Sequence, residues 1–215
     1  MTSIRTARAG AGVRVPPPHA IGGIPVPQDR VSRATWTWAC RTLPRYLLAH
    51  SVRSYCWAVE LARREAWAFD GPVLWAAALF HDVGLTRIAR NTMCFEVEGA
   101  ELARAFLERH GMAPADADRT AIAIILHMQP NVGLADGVES VVLDQATGID
   151  VRGVGFERIE RIREGVVNAF PRGSFDRLFL RAIEREVAVR GDCRSSALLR
   201  STGLAAAQAH SPWRT

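Results

Sequence analysis

Lysine is absent from this chain, although 27 of its 215 residues are basic. Every basic residue counted there is therefore arginine, which excludes catalysis through a lysine Schiff base and a phosphate-binding loop that needs lysine. The net charge is +5, but the arginines are scattered among glutamates, as in residues 157–164, and no basic run is interleaved with aromatics. Such mixed charge is typical of solvated helix faces, so we expect no nucleic-acid partner.

Long apolar runs are missing as well. The longest, residues 73–80, falls far short of the ~20 residues that span a bilayer. Arginines near the N-terminus are not followed by the apolar segment of a secretory signal. The four cysteines are widely spaced and form no Cys-x-x-Cys pair, which argues against a zinc knuckle and a dense disulfide framework. We therefore expect a cytoplasmic protein without a membrane partner.

Strand-like alternation is also lacking, whereas helical periodicity runs through most of the chain. Residues 1–30 are rich in Gly and Pro and are expected to form a flexible segment, with residues 24–27 on the domain surface. One all-α domain is predicted over residues 31–215, with a core at about 43–153 and a helical extension at about 154–208. Helices are predicted at about residues 32–41, 44–67, 73–82, 95–110, 114–128, 138–150, 155–169, 174–190 and 194–208.

A His-Asp doublet closes the longest apolar run, at His81 and Asp82. Two further polar residues, His50 in the second predicted helix and Asp150 at the end of the sixth, are expected to face the same core. A buried polar group must find a partner or it costs a few kcal/mol. Imidazoles and carboxylates can satisfy one another around a divalent ion, and this donor set favours Zn, Fe or Mn over Ca or Mg. The alternative is a buried histidine hydrogen-bonded to an aspartate that ends its helix.

The ordered set His50, His81, Asp82 and Asp150 resembles the HD-domain superfamily of helical metal-dependent hydrolases, over about residues 43–153. In that superfamily a first His, a His-Asp doublet and a distant Asp bind the metal. The resemblance therefore implies these four residues as metal ligands within a helical bundle. Shorter stretches narrow the resemblance to the cyanamide hydratase branch, whose reaction adds water to cyanamide to give urea. They are residues 43–44, 50–55, 79–86, 95–100, 123–127 and 146–151.

The number of metal ions follows from the same resemblance. Relatives with two metals, such as cyclic-dinucleotide phosphodiesterases and di-iron oxygenases, usually carry another His before the Gly-Ala step of the fourth helix. This chain has Phe95 and Glu96 in that region, and His110 comes only at the end of the helix. The resemblance thus implies one divalent transition metal, Zn²⁺ first with Fe²⁺ or Mn²⁺ as alternatives, and argues against an oxygenase.

Asp82 and His127 are the candidate catalytic residues. A bound Zn²⁺ or Fe²⁺ lowers the pKa of its water toward neutrality, and the hydroxide formed can attack the carbon of a nitrile-like substrate. His127, at the end of the fifth predicted helix, is the candidate acid or hydrogen-bond donor for the developing negative charge on nitrogen, and hence a substrate-binding residue. Its alternative role is a buried histidine that caps the helix.

Arg53, Thr86 and Glu96 are further candidates for substrate binding, and each has a structural alternative. Arg53, three residues after His50, either anchors an acidic group or forms a salt bridge. Thr86 either bonds substrate or is a simple turn hydroxyl. Glu96 either orients substrate or a ligand, or is an acidic residue that the helix dipole favours in a first turn.

Three functions are consistent with these residues. The first is a mononuclear hydratase that adds water to cyanamide or another small nitrile-like substrate. The second is an HD-type phosphohydrolase acting on a nucleotide or phosphate ester, for which Arg53 and Arg87 or Arg90 are the candidate basic residues near the metal. The third is a helical interaction module without catalysis. The expected partner is a small molecule, and the C-terminal helices either cover its pocket or form a homo-oligomer surface.

Overall fold

The computed structural model describes residues 16–89, 93–202, 204, 206 and 211–213. Within these ranges the prediction of an all-α protein is confirmed, with a small hairpin added. The hairpin pairs β1 (Ala20–Ile21) with β2 (Ile24–Pro25). The helices are α1 (Arg30–Thr42), α2 (Arg45–Arg64), α3 (Gly71–Phe80), α4 (Phe95–His110), α5 (Pro114–Leu126), α6 (Val138–Arg152), α7 (Glu160–Ala169), α8 (Phe175–Val189) and α9 (Arg194–Thr202). Single 3₁₀ turns occupy Val83–Leu85, Leu134–Asp136 and Phe156–Ile159.

Helix boundaries follow from local chemistry. The side chains of Asp29 and Asp70 each accept a hydrogen bond of 3.0 Å from a backbone N–H in the first turn of α1 and α3. Gly111 and Gly153 end α4 and α6 with φ of +96° and +77°, a left-handed conformation that glycine adopts without steric cost. These residues are visible in the sequence, which is why the predicted boundaries lie close to the observed ones.

The core surrounds α2 and α3. All side chains of α3 from Val73 to Phe80 are buried, as expected for a helix that is apolar on every side. Helix α2 packs against α3, α6 and α8, and it is buried continuously from His50 to Ala62. Any polar side chain at the inner positions of these two helices therefore lies in a dry interior. No helix in the described ranges has both the length and the apolar character needed to cross a membrane.

The hairpin corrects part of the prediction for the N-terminal segment. Ile24 and Val26 are buried, so the expectation that residues 24–27 lie on the surface is wrong for these two. The hydroxyl of Tyr55 on α2 donates to the carbonyl oxygen of Pro25 at 2.9 Å, which fastens the hairpin to the core. The flexibility expected for residues 1–15 concerns positions outside the described ranges.

The C-terminal helices pack onto the core through α8, which contacts α2, and α9 follows α8. A disulfide joins Cys94, just before α4, to Cys193, just before α9, across a sequence separation of 99. The wide cysteine spacing gave no indication of this pairing. Because the bond links two distant segments, it holds the start of α9 beside the start of α4.

Gly84 allows α4 to approach the end of α3. A Cβ at this position would lie 2.0 Å from the carbonyl oxygen of Phe95, so backbone would have to move. We expect Gly84→Ala to lower the free energy of unfolding by about 1–3 kcal/mol, as overpacking does. Denaturant unfolding measures this loss.

Gly133→Ala is the matched control for that substitution. Its Cβ would meet no atom within 4 Å, and its φ of −132° suits alanine. The expected change is below about 0.5 kcal/mol, the usual range for surface substitutions. Equal losses in the two variants would contradict the close approach at Gly84.

Candidate metal centre

Four polar side chains lie close together in the interior, one within a helix and three directly after the ends of two others. His50 lies on α2, His81 and Asp82 directly follow α3, and His127 directly follows α5. All four are buried, with at most 5% of each residue exposed. The sequence predicted these residues from helix-end positions and from the family resemblance, and the structure places them side by side.

Each of the three imidazoles is held through its Nδ1 atom. His81 and His127 donate from Nδ1 to the backbone carbonyl three residues earlier, at 2.8 and 2.6 Å. His50 donates from Nδ1 to Oδ2 of Asp150 at 2.7 Å. A carbonyl oxygen can only accept, and the Asp150 carboxylate is ionised, so Nδ1 carries hydrogen in all three rings. In a neutral ring of this tautomer the lone pair is on Nε2, the nitrogen that binds metal.

The arrangement of Nε2 atoms fits a divalent cation. The Nε2 atoms of His50 and His81 are 3.1 Å apart, and Oδ2 of Asp82 lies 3.5 and 3.2 Å from them. That oxygen has no hydrogen-bond partner among the described residues. Two lone pairs this close repel each other unless a proton or a metal ion is shared between them. One ligand atom from each of the three residues lies within 4.8 Å of the others, and this N,N,O set suits Zn, Fe or Mn.

Electrostatics favour a cation at the same place. Burial opposes ionisation of Asp82, but the neighbouring His81, His50 and His127 together outweigh it and lower the carboxyl pKa to about 2. Burial also lowers the pKa of His50, although its hydrogen bond to Asp150 works against this. Burial also acts to lower the pKa of His81, but Asp82, the carbonyl of Ala78 and the charge of Asp150 together raise it. The centre therefore has an ionised carboxylate and imidazoles that can exchange a proton for a metal ion.

Asp150, the fourth predicted ligand, lies behind His50 instead of joining the cluster. Its Oδ1 accepts hydrogen bonds from Nε of Arg53 at 2.8 Å and Nε1 of Trp57 at 3.0 Å, and its Oδ2 accepts from Arg53 at 2.7 Å as well as from His50. Burial opposes its charge, but Arg53, His50 and Arg172 together outweigh burial and hold the pKa of Asp150 well below the ordinary value. In this structure Asp150 therefore contacts His50 and Arg53 and not the other candidate ligands, and its role as a direct metal ligand stays a prediction.

Arg53 is correspondingly unable to reach a substrate. The side chain is fully buried, and its Nη1 donates to the backbone carbonyls of Phe170 and Pro171 at 3.2 and 3.3 Å. Together with the bidentate pair to Asp150, these bonds engage all three nitrogens of the guanidinium. Of the two roles considered for Arg53, the structure favours the salt bridge and not the anchor for a substrate.

Thr86 and Glu96 are also absent from the lining of the cavity that His50, His81 and Asp82 share. The Thr86 hydroxyl donates to the carbonyl of Val83 at 2.6 Å, which is the turn role, and the residue lines a second cavity. Glu96 is buried in the first turn of α4, and burial raises the pKa of its carboxyl. Its Oε2 has no hydrogen-bond partner in the described part of the chain, and the structure offers no explanation for this.

A cavity of about 310 Å³ is lined in part by His50, His81, Asp82 and His127, the group of side chains that we call the metal cluster. The buried apolar part of its lining includes Phe95, Val151, Phe179 and Ile183. The more exposed polar part includes Gln129, Asn131, Asp144, Arg152 and Arg194. Sequence reasoning missed the three charged members of this polar part. For Asp144 the indication was its spacing on α6, since residues 144, 147, 148 and 151 share one helix face.

His127 faces both the cavity and the cluster. Its Nε2 lies 4.0 Å from Oδ1 of Asp82, and its ring packs against that of His81 with centroids 4.9 Å apart. Burial and the charge of His81 lower the pKa of His127 to about 4. The ring is therefore neutral near pH 7, and its Nε2 accepts a hydrogen bond or a proton. The predicted acid role requires that the ring first take up a proton.

Comparison with known proteins agrees with this geometry. Residues 47–149 match the family model described as HD domain. The chain is also similar to two proteins of Saccharomyces cerevisiae, cyanamide hydratase DDI2 and cyanamide hydratase DDI3. Each is 27% identical over 180 residues, which cover 81% of this chain and 79% of the relative. The resemblance to the HD-domain superfamily and its cyanamide hydratase branch is thereby confirmed.

The position of Asp150 predicts how its removal affects metal binding. Asp150→Asn keeps the shape of the side chain but weakens the charged acceptor that orients His50. We expect the Zn²⁺ affinity to fall about 10- to 100-fold, as for other groups that hold a ligand in place. Competition with a chromophoric chelator measures the affinity, and circular dichroism verifies folding.

Two further variants complete this test. Asp118→Asn, in an exposed ion pair with Arg104, is the control and should leave Zn²⁺ affinity unchanged. His81→Ala removes a ligand and should cause a larger loss than Asp150→Asn. If Asp150→Asn equalled His81→Ala, Asp150 would be a direct ligand, contrary to the arrangement described above.

Proposed function

We propose that this HD-domain protein is a mononuclear metal-dependent hydratase that adds water to cyanamide or another small nitrile-like substrate. The observation that carries the proposal is the convergence of two imidazole Nε2 atoms and a carboxylate in the lining of one cavity. The named activity of the two yeast relatives supports the choice of reaction.

His50, His81 and Asp82 are the residues that would hold the metal, with Zn²⁺ the first choice and Fe²⁺ or Mn²⁺ the alternatives. When bound, the ion lowers the pKa of a coordinated water to near neutrality. The buried hydrogen bonds at each Nδ1 keep the rings oriented before the ion arrives, so little reorganisation accompanies binding.

His127 is placed to move the proton that hydration requires. Addition of water to a nitrile forms a C–O bond, opens one C–N π bond and transfers a proton from oxygen to nitrogen, which gives an imidic acid. A second transfer of a proton from oxygen to nitrogen opens the remaining C–N π bond, forms the C=O bond and gives the amide, which is urea when the substrate is cyanamide. The neutral ring of His127 accepts the proton of the attacking water at Nε2 and then delivers it to the substrate nitrogen. This order reconciles its low pKa with the acid role, because the ring becomes an acid only after it has acted as a base.

Phe95 supports a single metal. Its buried ring lines the cavity and meets the His127 ring edge-on, with centroids 5.8 Å apart. Two-metal relatives usually carry an additional histidine in this region, and here an apolar side chain contacts the candidate catalytic residue. Among the described residues, one group of His, Cys, Asp or Glu is close enough to hold an ion.

A phosphohydrolase is the alternative function. Of its predicted basic residues, Arg53 is bound to Asp150, Arg87 lines the second cavity, and Arg90 lies outside the described ranges. Two other arginines, Arg152 and Arg194, line the cavity at the metal cluster and could bind a phosphate, which supports this alternative.

The C-terminal helices support a covering role. Phe179 and Ile183 on α8 and Arg194 on α9 line the cavity, so these helices help to close it. Assembly into a homo-oligomer through the outer faces of the same helices remains a further proposal.

Urea release from cyanamide tests the proposed reaction. Protein loaded with one equivalent of Zn²⁺ should form urea, lose this activity on treatment with a chelator, and regain it when metal is restored. His127→Ala should lower kcat by about 10²- to 10⁴-fold, the range for loss of a proton-transfer group, while still binding one Zn²⁺.

The control for this test is a panel of nucleotides and phosphate esters. Phosphate release from the panel without urea formation would contradict the hydratase and favour the alternative. Absence of both activities, together with no stoichiometric metal, would favour the non-catalytic interaction module.

A further inference from the structure

Two guanidinium groups line the same cavity as His50, His81 and Asp82. Arg152 ends α6 and Arg194 begins α9, so segments far apart in the sequence bring these charges to one cavity. Neither was predicted as a site residue. Both are partly buried, which strengthens their interaction with a bound anion compared with fully exposed arginines.

One hydrogen bond holds the Arg194 side chain in place, and its other N–H donors remain without a partner in the described ranges. Its Nε donates to the backbone carbonyl of Met128 at 2.8 Å, and no other hydrogen bond or ion pair of its side chain occurs in the described part of the chain. The neighbouring Cys193 is tied to Cys94, which restrains this end of α9. The two Nη groups of Arg194 are therefore left for a ligand, on a side chain whose position is already set.

The Arg152 side chain has fewer polar contacts than that of Arg194. Its guanidinium makes no hydrogen bond or ion pair within the described ranges, and Asp144 is the acidic group whose charge acts on it. Gly148 makes room for it, because a Cβ there would lie 3.1 Å from Nη2 of Arg152. A half-buried cation without a direct partner beside a cavity is suited to bind an anion.

Charge and size limit the ligand further. Burial raises the pKa of Asp144 to about 6, so its carboxyl is mostly ionised at neutral pH. Arg152, Arg194 and Asp144 then contribute a net charge of +1 to the cavity lining, which matches a monoanion. The cavity volume of about 310 Å³ falls at the lower end of the ~300–1,000 Å³ range of small-molecule sites. Cyanamide, with three non-hydrogen atoms, would leave most of it unfilled.

We propose that the substrate is a small organic monoanion, whose carboxylate is bound by Arg152 and Arg194 and whose nitrile-like carbon lies at the metal cluster. The planar fork of arginine matches the two oxygens of a carboxylate. The apolar walls formed by Phe179 and Ile183 then surround the part of the molecule that joins its two ends. This inference rests on the proposed hydration reaction for the nitrile-like end, whereas the anion site is a property of the cavity itself.

Calorimetric titration of the zinc-loaded protein with two probes tests the anion site without turnover. Cyanoacetate carries a nitrile and a carboxylate, and cyanoacetamide is its neutral counterpart of nearly equal size. We expect cyanoacetate to bind at least about 10-fold more tightly, since hydrogen bonds to charged groups are worth this much or more. Arg152→Gln and Arg194→Gln should each reduce the preference, and the double variant should abolish it.

Arg87→Gln is the matched control, because it removes one positive charge from an exposed residue of the second cavity. It should leave the preference for cyanoacetate intact. A preference that survives both cavity substitutions would mean that the carboxylate binds the metal, and would overturn the proposal. Equal binding of the two probes by the unaltered protein would overturn it as well.

Inorganic phosphate separates the two possible anions. If phosphate bound more tightly than cyanoacetate and lost this advantage in the double variant, the arginines would serve a phosphate, and the carboxylate proposal would be wrong. Failure of the anion site is distinguishable from failure of the proposed reaction. The first appears as an absent binding preference, and the second as absent urea formation from cyanamide.

Discussion

The buried carboxylate of Asp150 is the interaction on which the centre depends. It joins α6 to α2 through Arg53, Trp57 and His50, and it lies where an unpaired charge would be strongly destabilising. The hydrogen bond to His50 fixes the tautomer and orientation of that ring, so its Nε2 faces His81 and Asp82. The hydrogen bonds of Asp150 therefore have two effects: they join α6 to α2, and they orient the His50 ring at the candidate metal centre.

Much of this arrangement could be predicted from the sequence, because local rules determine it. Periodicity and glycine positions indicated the helices, and the His-Asp doublet after an apolar run indicated where polar groups enter the core. The role of Asp150 could not be predicted in the same way. A carboxylate at a helix end can face an ion or the back of a ligand ring, and the difference depends on which residue of α2 lies opposite. Arg53, one turn beyond His50, takes that place and draws the carboxylate away from the cluster.

The cavity was harder to predict, because it depends on segments distant in sequence. Helix α9 reaches the opening through tertiary packing and a disulfide that spans 99 positions, neither of which has a local pattern. The same packing places Arg194 near Arg152 and Asp144. The candidate metal ligands were thus predicted from the sequence, whereas the charged residues elsewhere in the cavity lining were not. In our two proposals, the reaction depends on the first set of residues and the choice of substrate on the second.

Anomalous diffraction at the zinc absorption edge, from crystals of the zinc-loaded protein, tests the central claim most directly. We predict one anomalous peak per chain, bonded to Nε2 of His50, Nε2 of His81 and the carboxylate of Asp82, with Asp150 still paired to Arg53 and to Nδ1 of His50. A peak bonded to the Asp150 carboxylate, two peaks in one centre, or no peak at these residues would contradict the account.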